Sequence, residues 1–131
     1  MLIMLKKIIL NSLKVAVVGY ILITTFSSNG YQVLDQDTAY KQLQVDKSIH
    51  LVDVRELHEF NAGHINGAQL IPLGTIEDSF SSLIPQKDTK IFIYCKSGNR
   101  SAEAAKKLVS MGYTNVFDIG GIITWEYGIV R

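Results

Sequence analysis

In this 131-residue chain the residues best suited to chemistry lie together, in Tyr94-Cys95-Lys96-Ser97-Gly98-Asn99-Arg100-Ser101. Cys95 is the single cysteine. An intramolecular disulfide is therefore impossible, and a cysteine-based zinc cluster is disfavoured. A lone thiol is either a small buried hydrophobe or a reactive group, and its neighbours decide which. The apolar run Lys90 to Tyr94 (KIFIY) delivers Cys95, small and polar residues follow, and a helix is expected from Arg100 to Met111. Gly98 can take positive φ, so the backbone between strand and helix can curl with its N–H groups inward. Backed by a helix N-terminus, such a curl is a nest for an anion. A thiolate at its centre would accept several N–H bonds, and Lys96 and Arg100 would add positive potential. These conditions favour an ionised, nucleophilic cysteine. A cysteine ending a buried strand is more often structural, but here a basic, glycine-containing turn follows it and opens a helix.

Short apolar runs alternate with helix-like segments from about Tyr31 onward. Strands are expected at Val33-Leu34, His50 to Val54, Ala68 to Ile71, Lys90 to Tyr94 and Asn115 to Ile119. Helices are expected from a cap at Asp37 or Thr38 through about Val45, from Glu56 to Ala62 ended by Gly63, from Ile76 to Leu83, and from Arg100 to Met111 ended by Gly112. The last of these carries an apolar stripe of Ala102, Ala105, Leu108 and Val109. A short terminal helix is expected around Trp125, after Gly120-Gly121. Strands alternating with helices predict an α/β domain with a mainly parallel sheet and helices on both faces. Ligands of such sheets bind beyond the carboxyl ends of the strands, which is where Cys95 falls.

Hydrophobic residues make up 47% of the chain, enough for a packed core. With 13 Lys and Arg against 12 Asp and Glu, the net charge of +1 gives no reason to expect nucleic acid binding. The charges are unevenly placed: Lys6, Lys7 and Lys14 lie in the first thirty residues with no acid among them. A basic start, an apolar run that is uninterrupted from Val15 to Ile23 and a small polar stretch from Thr24 to Gly30 make the layout of a secretory signal. Residues 1–30 are therefore expected to be a signal peptide or, if uncleaved, a hydrophobic targeting helix that anchors the chain in a membrane. Residues 31–131 then form an exported domain, periplasmic or otherwise extracytoplasmic.

Three stretches resemble the rhodanese homology domain family: LVDVRELHEFNAGHINGAQLIPL (Leu51 to Leu73), IFIYCKSGNRSAEAA (Ile91 to Ala105) and GYTNVFDIGGIITW (Gly112 to Trp125). The resemblance spans about Tyr31 to Tyr127. It implies a five-stranded sheet, an active-site loop over residues 95–100, and Cys95 as the nucleophile that forms a persulfide. It implies a two-step sulfurtransferase cycle. Sulfur from a donor such as thiosulfate or a polysulfide loads Cys95 and then passes to cyanide or a thiol, with no metal and no organic cofactor. A sulfur carrier serving a partner protein would use the same persulfide. The related phosphatases and arsenate reductases place an arginine after five intervening residues. Here Arg100 follows Cys95 after four, and the next position holds Ser101, which cannot clamp an oxyanion bidentately.

The remaining candidates are supporting ones. Lys96 is suited to attracting an anionic donor. Ser97, Gly98 and Asn99 contribute through backbone N–H groups, and Ser101 can cap the helix or donate to the sulfur. Asp53 and Arg55 end the second strand, so Asp53 can orient Arg100, accept loop N–H groups, or form a structural ion pair that ties strand to helix. Arg55 can steer an anion or pair with Glu59. His58 and His64 are not required as bases. His64, in Gly63-His64-Ile65-Asn66-Gly67, is expected to fix its loop, and Asn66 stands where the family usually has proline. Trp125 is expected in the core.

Overall fold

The computed structural model describes residues 30–131; the expected targeting segment lies outside them. Five strands form one sheet: β1 (Gln32–Val33), β2 (His50–Asp53), β3 (Gln69–Leu70), β4 (Ile91–Cys95) and β5 (Val116–Gly121). Their spatial order is β1-β5-β4-β2-β3, and every neighbouring pair is parallel. The sheet is thus wholly parallel rather than mainly so. Four helices connect the strands: α1 (Gln36–Val45), α2 (Leu57–Ala62), α3 (Ile76–Leu83) and α4 (Asn99–Ser110). Single 3-10 turns at Leu73–Thr75 and Ile122–Thr124 complete the domain. The short helix expected around Trp125 is this second turn. No helix among the described residues is long and apolar enough to cross a membrane.

The central strand explains the layering. All five residues of β4 are buried, and successive side chains point to opposite faces. Ile91, Ile93 and Cys95 join Val52 and Val54 of the second strand region, Ile76 and Phe80 of α3, and Ala104, Ala105 and Leu108 of α4. Phe92 and Tyr94 join Ala39 of α1, Leu51, Phe117 and Ile119 on the opposite face. Tyr94 is buried with its hydroxyl accepting the Ile65 N–H at 3.1 Å. The buried row of α4 is Ser101, Ala104, Ala105 and Leu108, at helical spacing from Ser101. Ala102 and Val109, expected on that row, sit at its margins and are only half-buried.

Two boundary differences have local causes. Asp35 caps α1, accepting from the Thr38 N–H at 2.9 Å and its hydroxyl at 2.7 Å. The helix therefore starts ahead of Asp37 and Thr38. Gly98, at φ 104°, is the N-cap of α4, so the helix begins at Asn99 and the turn after Cys95 is tighter than expected.

The register between β4 and β5 shifts at the end that carries the cysteine: Ile93 pairs with Asp118, but Cys95 pairs with Gly121. The fifth strand fits one more residue than its neighbour over this step, and Gly120 takes φ 86° to do so. Gly121 then passes so close to the cysteine loop that an added Cβ would lie 2.2 Å from the Lys96 carbonyl oxygen. Only a residue without a side chain fits there. Gly121→Ala is expected to lower the unfolding free energy by about 3 kcal/mol, read by denaturant titration. Gly74→Ala, where a Cβ meets nothing within 4 Å, is expected to change it by under about 0.5 kcal/mol. Equal effects at the two positions would refute the close-approach account.

Candidate active site at the carboxyl end of the sheet

Cys95 ends β4 with its side chain toward α4 and only 1% of the residue exposed. Its Sγ accepts the Gly98 N–H at 3.0 Å and lies 3.5 Å from the Ser101 Oγ. Ser101 is buried, and its hydroxyl donates to the Gly98 carbonyl at 3.0 Å, with the Gly120 carbonyl at 3.4 Å. The sulfur therefore sits where a left-handed glycine turns the chain into a helix N-terminus, the place where backbone N–H groups are otherwise unpaired. Where the sequence predicts several amides around the sulfur, one amide and one hydroxyl reach it. The tight turn is the reason, because it leaves only Lys96 and Ser97 between the strand and the Gly98 cap.

The other loop residues are placed as follows. Lys96, Ser97 and Asn99 are exposed, and the Lys96 carbonyl accepts the Ile123 N–H at 3.2 Å. Arg100 lies in the first turn of α4 and makes a bidentate pair with Glu59 of α2, at 2.7 and 2.9 Å. Asp53 and Arg55, both buried, form their own bidentate pair, with contacts from 2.8 to 3.1 Å, and the Arg55 guanidinium also donates to the Gly63 carbonyl at 2.7 Å. The partners are thus exchanged relative to expectation: Asp53 holds Arg55 rather than Arg100, and Glu59 holds Arg100 rather than Arg55. Arg55 lies in the bend just past the end of β2, where its backbone N–H also donates to the Asp53 carboxylate at 2.9 Å, which puts its guanidinium within immediate reach of Asp53. Glu59 instead lies on a helix that faces the start of α4.

These pairings shift the ionisation of their members. The Arg100 hydrogen bonds hold Glu59 down at about 2, well below its ordinary 4.5, against an opposing effect of burial. Glu59 reciprocally raises Arg100. Burial pulls Arg55 down, but its bonds and charge contact with Asp53 outweigh this and raise it. Burial raises Tyr94. His64 fixes its loop as expected, with Nδ1 at 3.0 Å from the Phe60 carbonyl and its ring stacked on Phe60.

Sequence reasoning missed Asp118. It is buried on β5, accepts the Gly120 N–H at 2.9 Å, and is raised in pKa chiefly by burial. The available signal was a lone acid inside the apolar strand NVFDI, which needs an internal partner. An open cavity of about 540 Å³ adjoins the cysteine loop, walled by Arg55, Glu59, Lys96, Ile122, Ile123 and Ile129. Trp125 is half-buried and also lines it, so it is not solely a core residue.

A parallel α/β domain that ends its central strand on a cysteine, at the N-terminus of the following helix, defines a class of thiol-dependent transfer domains. The chain belongs to the rhodanese-like domain family, whose model matches residues 35–126, and with it to a family of sulfurtransferases and sulfur carriers. It is 34% identical over 80 residues to the thiosulfate sulfurtransferase PspE of Escherichia coli, covering 61% of this chain and 77% of that protein. It is 37% identical over 82 residues to the putative sulfur carrier protein YrkF of Bacillus subtilis, covering 62% of this chain and 43% of that one. A rhodanese-related protein from Thermoplasma volcanium superimposes with a TM-score of 0.66 at 30% identity, over 76% of this chain and 98% of that structure. The chain spans only 25% of the length of the adenylyltransferase and sulfurtransferase it matches in Ogataea parapolymorpha.

Glu59 offers a direct check on the Arg100 pair. A carboxylate held below its unfolded pKa adds stability that is complete above that value and disappears as pH falls through the folded one. Wild type is expected to exceed Glu59→Gln by about 1 kcal/mol above roughly pH 5, the scale of a well-formed, partly exposed pair. The gap should close as pH falls toward 2. A gap independent of pH over this range would contradict the pairing.

Proposed function

We propose that the chain is a single-domain sulfurtransferase that moves sulfane sulfur through a Cys95 persulfide. The observation that carries this reading is the Gly98 N–H donating to the Cys95 Sγ at 3.0 Å at the start of a 12-residue helix. The thiolate is the attacking species in sulfur exchange, and the contact places a backbone donor on the sulfur that would carry the charge. In the first half-reaction the thiolate attacks the outer sulfur of thiosulfate. An Sγ–S bond forms, the donor's S–S bond breaks, and sulfite leaves with the electron pair. In the second, cyanide or a thiolate attacks the outer sulfur of the persulfide. The Sγ–S bond breaks and Cys95 is restored as thiolate. Neither step requires a metal or an organic cofactor.

The neighbours suit this cycle. As Cys95 ionises, the Ser101 hydroxyl can turn from the Gly98 carbonyl toward the sulfur 3.5 Å away. Lys96 is exposed on the cavity wall and can attract an anionic donor. Arg55, suggested by the sequence for that task, is engaged by Asp53. Arg100 is held by Glu59 and is not free to cradle a phosphoryl group, which supports sulfur over phosphate chemistry.

A second reading, a sulfur carrier loaded by a partner protein, is favoured by one feature: Cys95 is 1% exposed, so free donors reach it with difficulty. Steady-state thiocyanate formation from thiosulfate and cyanide separates the two, since a carrier turns over poorly. We also read residues 1–30 as an export segment, cleaved or retained as an anchor, which would place the domain in the periplasm or another extracytoplasmic space. Intact mass of the protein from its native host reports on cleavage.

Treatment of the full chain with thiosulfate is expected to add one sulfur atom, about 32 Da, to Cys95, detected by intact mass spectrometry. Cys95→Ser should show no gain. An unchanged wild-type mass after thiosulfate and polysulfide would overturn the persulfide reading. Ser101→Ala, which removes the one side-chain hydroxyl at the sulfur, is expected to reduce kcat for thiocyanate formation about tenfold, the scale of one lost hydrogen bond to a charged group.

A further inference from the structure

The cavity beside the cysteine loop is larger and less polar than a two-atom anion requires. Its volume of about 540 Å³ falls within the range of pockets that hold small organic molecules, about 300–1,000 Å³. Ile122, Ile123 and Ile129 supply apolar wall, with the half-buried ring of Trp125 beside them. Ile123 is 65% exposed and Ile129 50%, so both present their surface outward. The charge on the wall is largely compensated: Arg55 is paired with Asp53, and Glu59 with Arg100. Among the described residues, Lys96 is the one Lys or Arg on that wall outside an ion pair.

Ile129 is held there by a backbone device. His64 and Val130 form an isolated antiparallel bridge, with N–H to carbonyl distances of 2.9 and 2.8 Å. The bridge lays the segment around Gly128–Val130 against the loop after α2, with the Ile129 Cδ1 over Gly63, where a Cβ would approach it to 2.7 Å. The anchoring bonds are all main-chain, so they fix the position of residue 129 without dictating its side chain. This segment also lies past residue 126, where the match to the family model ends.

We propose that this wall is the acceptor subsite, that Ile129 is a specificity-determining residue within it, and that the acceptor is a low-molecular-weight thiol bearing an apolar group. The inference rests on the sulfurtransferase reading above. The acceptor's thiolate, its proton released to water, attacks the outer sulfur of the Cys95 persulfide. A new S–S bond forms on the acceptor, the Sγ–S bond breaks, and Sγ leaves with the electron pair. The persulfide places the reacting atom about 2 Å beyond Sγ, and the residue after the cysteine, Lys96, is on the cavity wall. The apolar part of the acceptor covers Ile123 and Ile129 while Lys96 stabilises the thiolate end.

The test uses the full chain turning over thiosulfate with phenylmethanethiol or 2-sulfanylethanesulfonate as acceptor, alongside cyanide. The apolar thiol is expected to show a kcat/KM about tenfold higher than the sulfonate, expressed mainly in KM; a hydrophobic contact of this size discriminates on that scale. Ile129→Asp should collapse that ratio to near one, and Ile129→Leu should keep it within about twofold. If Ile129→Asp fails to fold, Ile123→Ser is expected to lower the ratio in the same direction. Equal kcat/KM for the two thiols in the wild type, or a ratio insensitive to both substitutions, would overturn the subsite. Thiocyanate formation with cyanide in that case would leave the sulfurtransferase reading standing. Absence of both sulfur loading and thiocyanate would instead overturn that reading itself.

Discussion

The sulfur of Cys95 sits at the buried end of the central strand, and the chain turns back on it at once. Here that turn is made by Gly98, whose left-handed conformation aims its own N–H at the Cys95 Sγ and starts α4 in the next residue. Much of the surrounding structure serves this one contact. β4 is buried along its whole length and delivers the cysteine in a fixed orientation. β5 shifts register beside it and crosses under the loop at Gly121, where the Lys96 carbonyl leaves no room for a side chain. Ser101 fastens the turn by donating to the carbonyl of the same Gly98 whose amide holds the sulfur.

Two bidentate ion pairs frame the loop, and they differ in kind. Asp53 and Arg55 are both buried; Arg55 also donates to the Gly63 carbonyl, and Asp53 also accepts the Arg55 backbone N–H, so both charges have several partners, as burial demands. Their net effect on stability is small relative to their effect on geometry, because the desolvation of both ions offsets much of the attraction. Arg100 and Glu59 are partly solvated and join α4 to α2 across the mouth of the site. Glu59 also accepts the Glu56 N–H at 3.2 Å, closing a capping box at the start of α2. One carboxylate thus caps a short helix and tethers the helix that follows the cysteine turn.

The fold was largely legible because its signals are local. KIFIY reads as a two-sided buried strand, Gly63 and Gly112 mark helix ends, and alternation of strands and helices dictates a parallel sheet. The cysteine turn was legible for the same reason. What escaped were pairings set by three-dimensional proximity. Nothing in the order of residues says that Arg100 reaches Glu59, 41 positions away, while Asp53 turns to the arginine two places on. The number of amides at the sulfur escaped too, since it depends on whether the helix begins at Asn99 or one residue later. Asp118 was passed over as a strand residue because its partner, the Gly120 N–H, exists only once the strand kinks at Gly120.

The order of strands has a consequence for how the domain comes into being. β4 and β5, the two innermost strands of the sequence's second half, are also those on which the first strand depends: β1 pairs with β5 and with no other. A nascent chain that has emerged as far as α3 can join β2 to β3 but has nowhere to seat its first strand, and half of its core lacks a partner. Closure waits for contacts spanning more than eighty residues, the kind that slows folding. Such a sheet can be completed only once its last strand is available, so the first strand of the chain is seated together with the last.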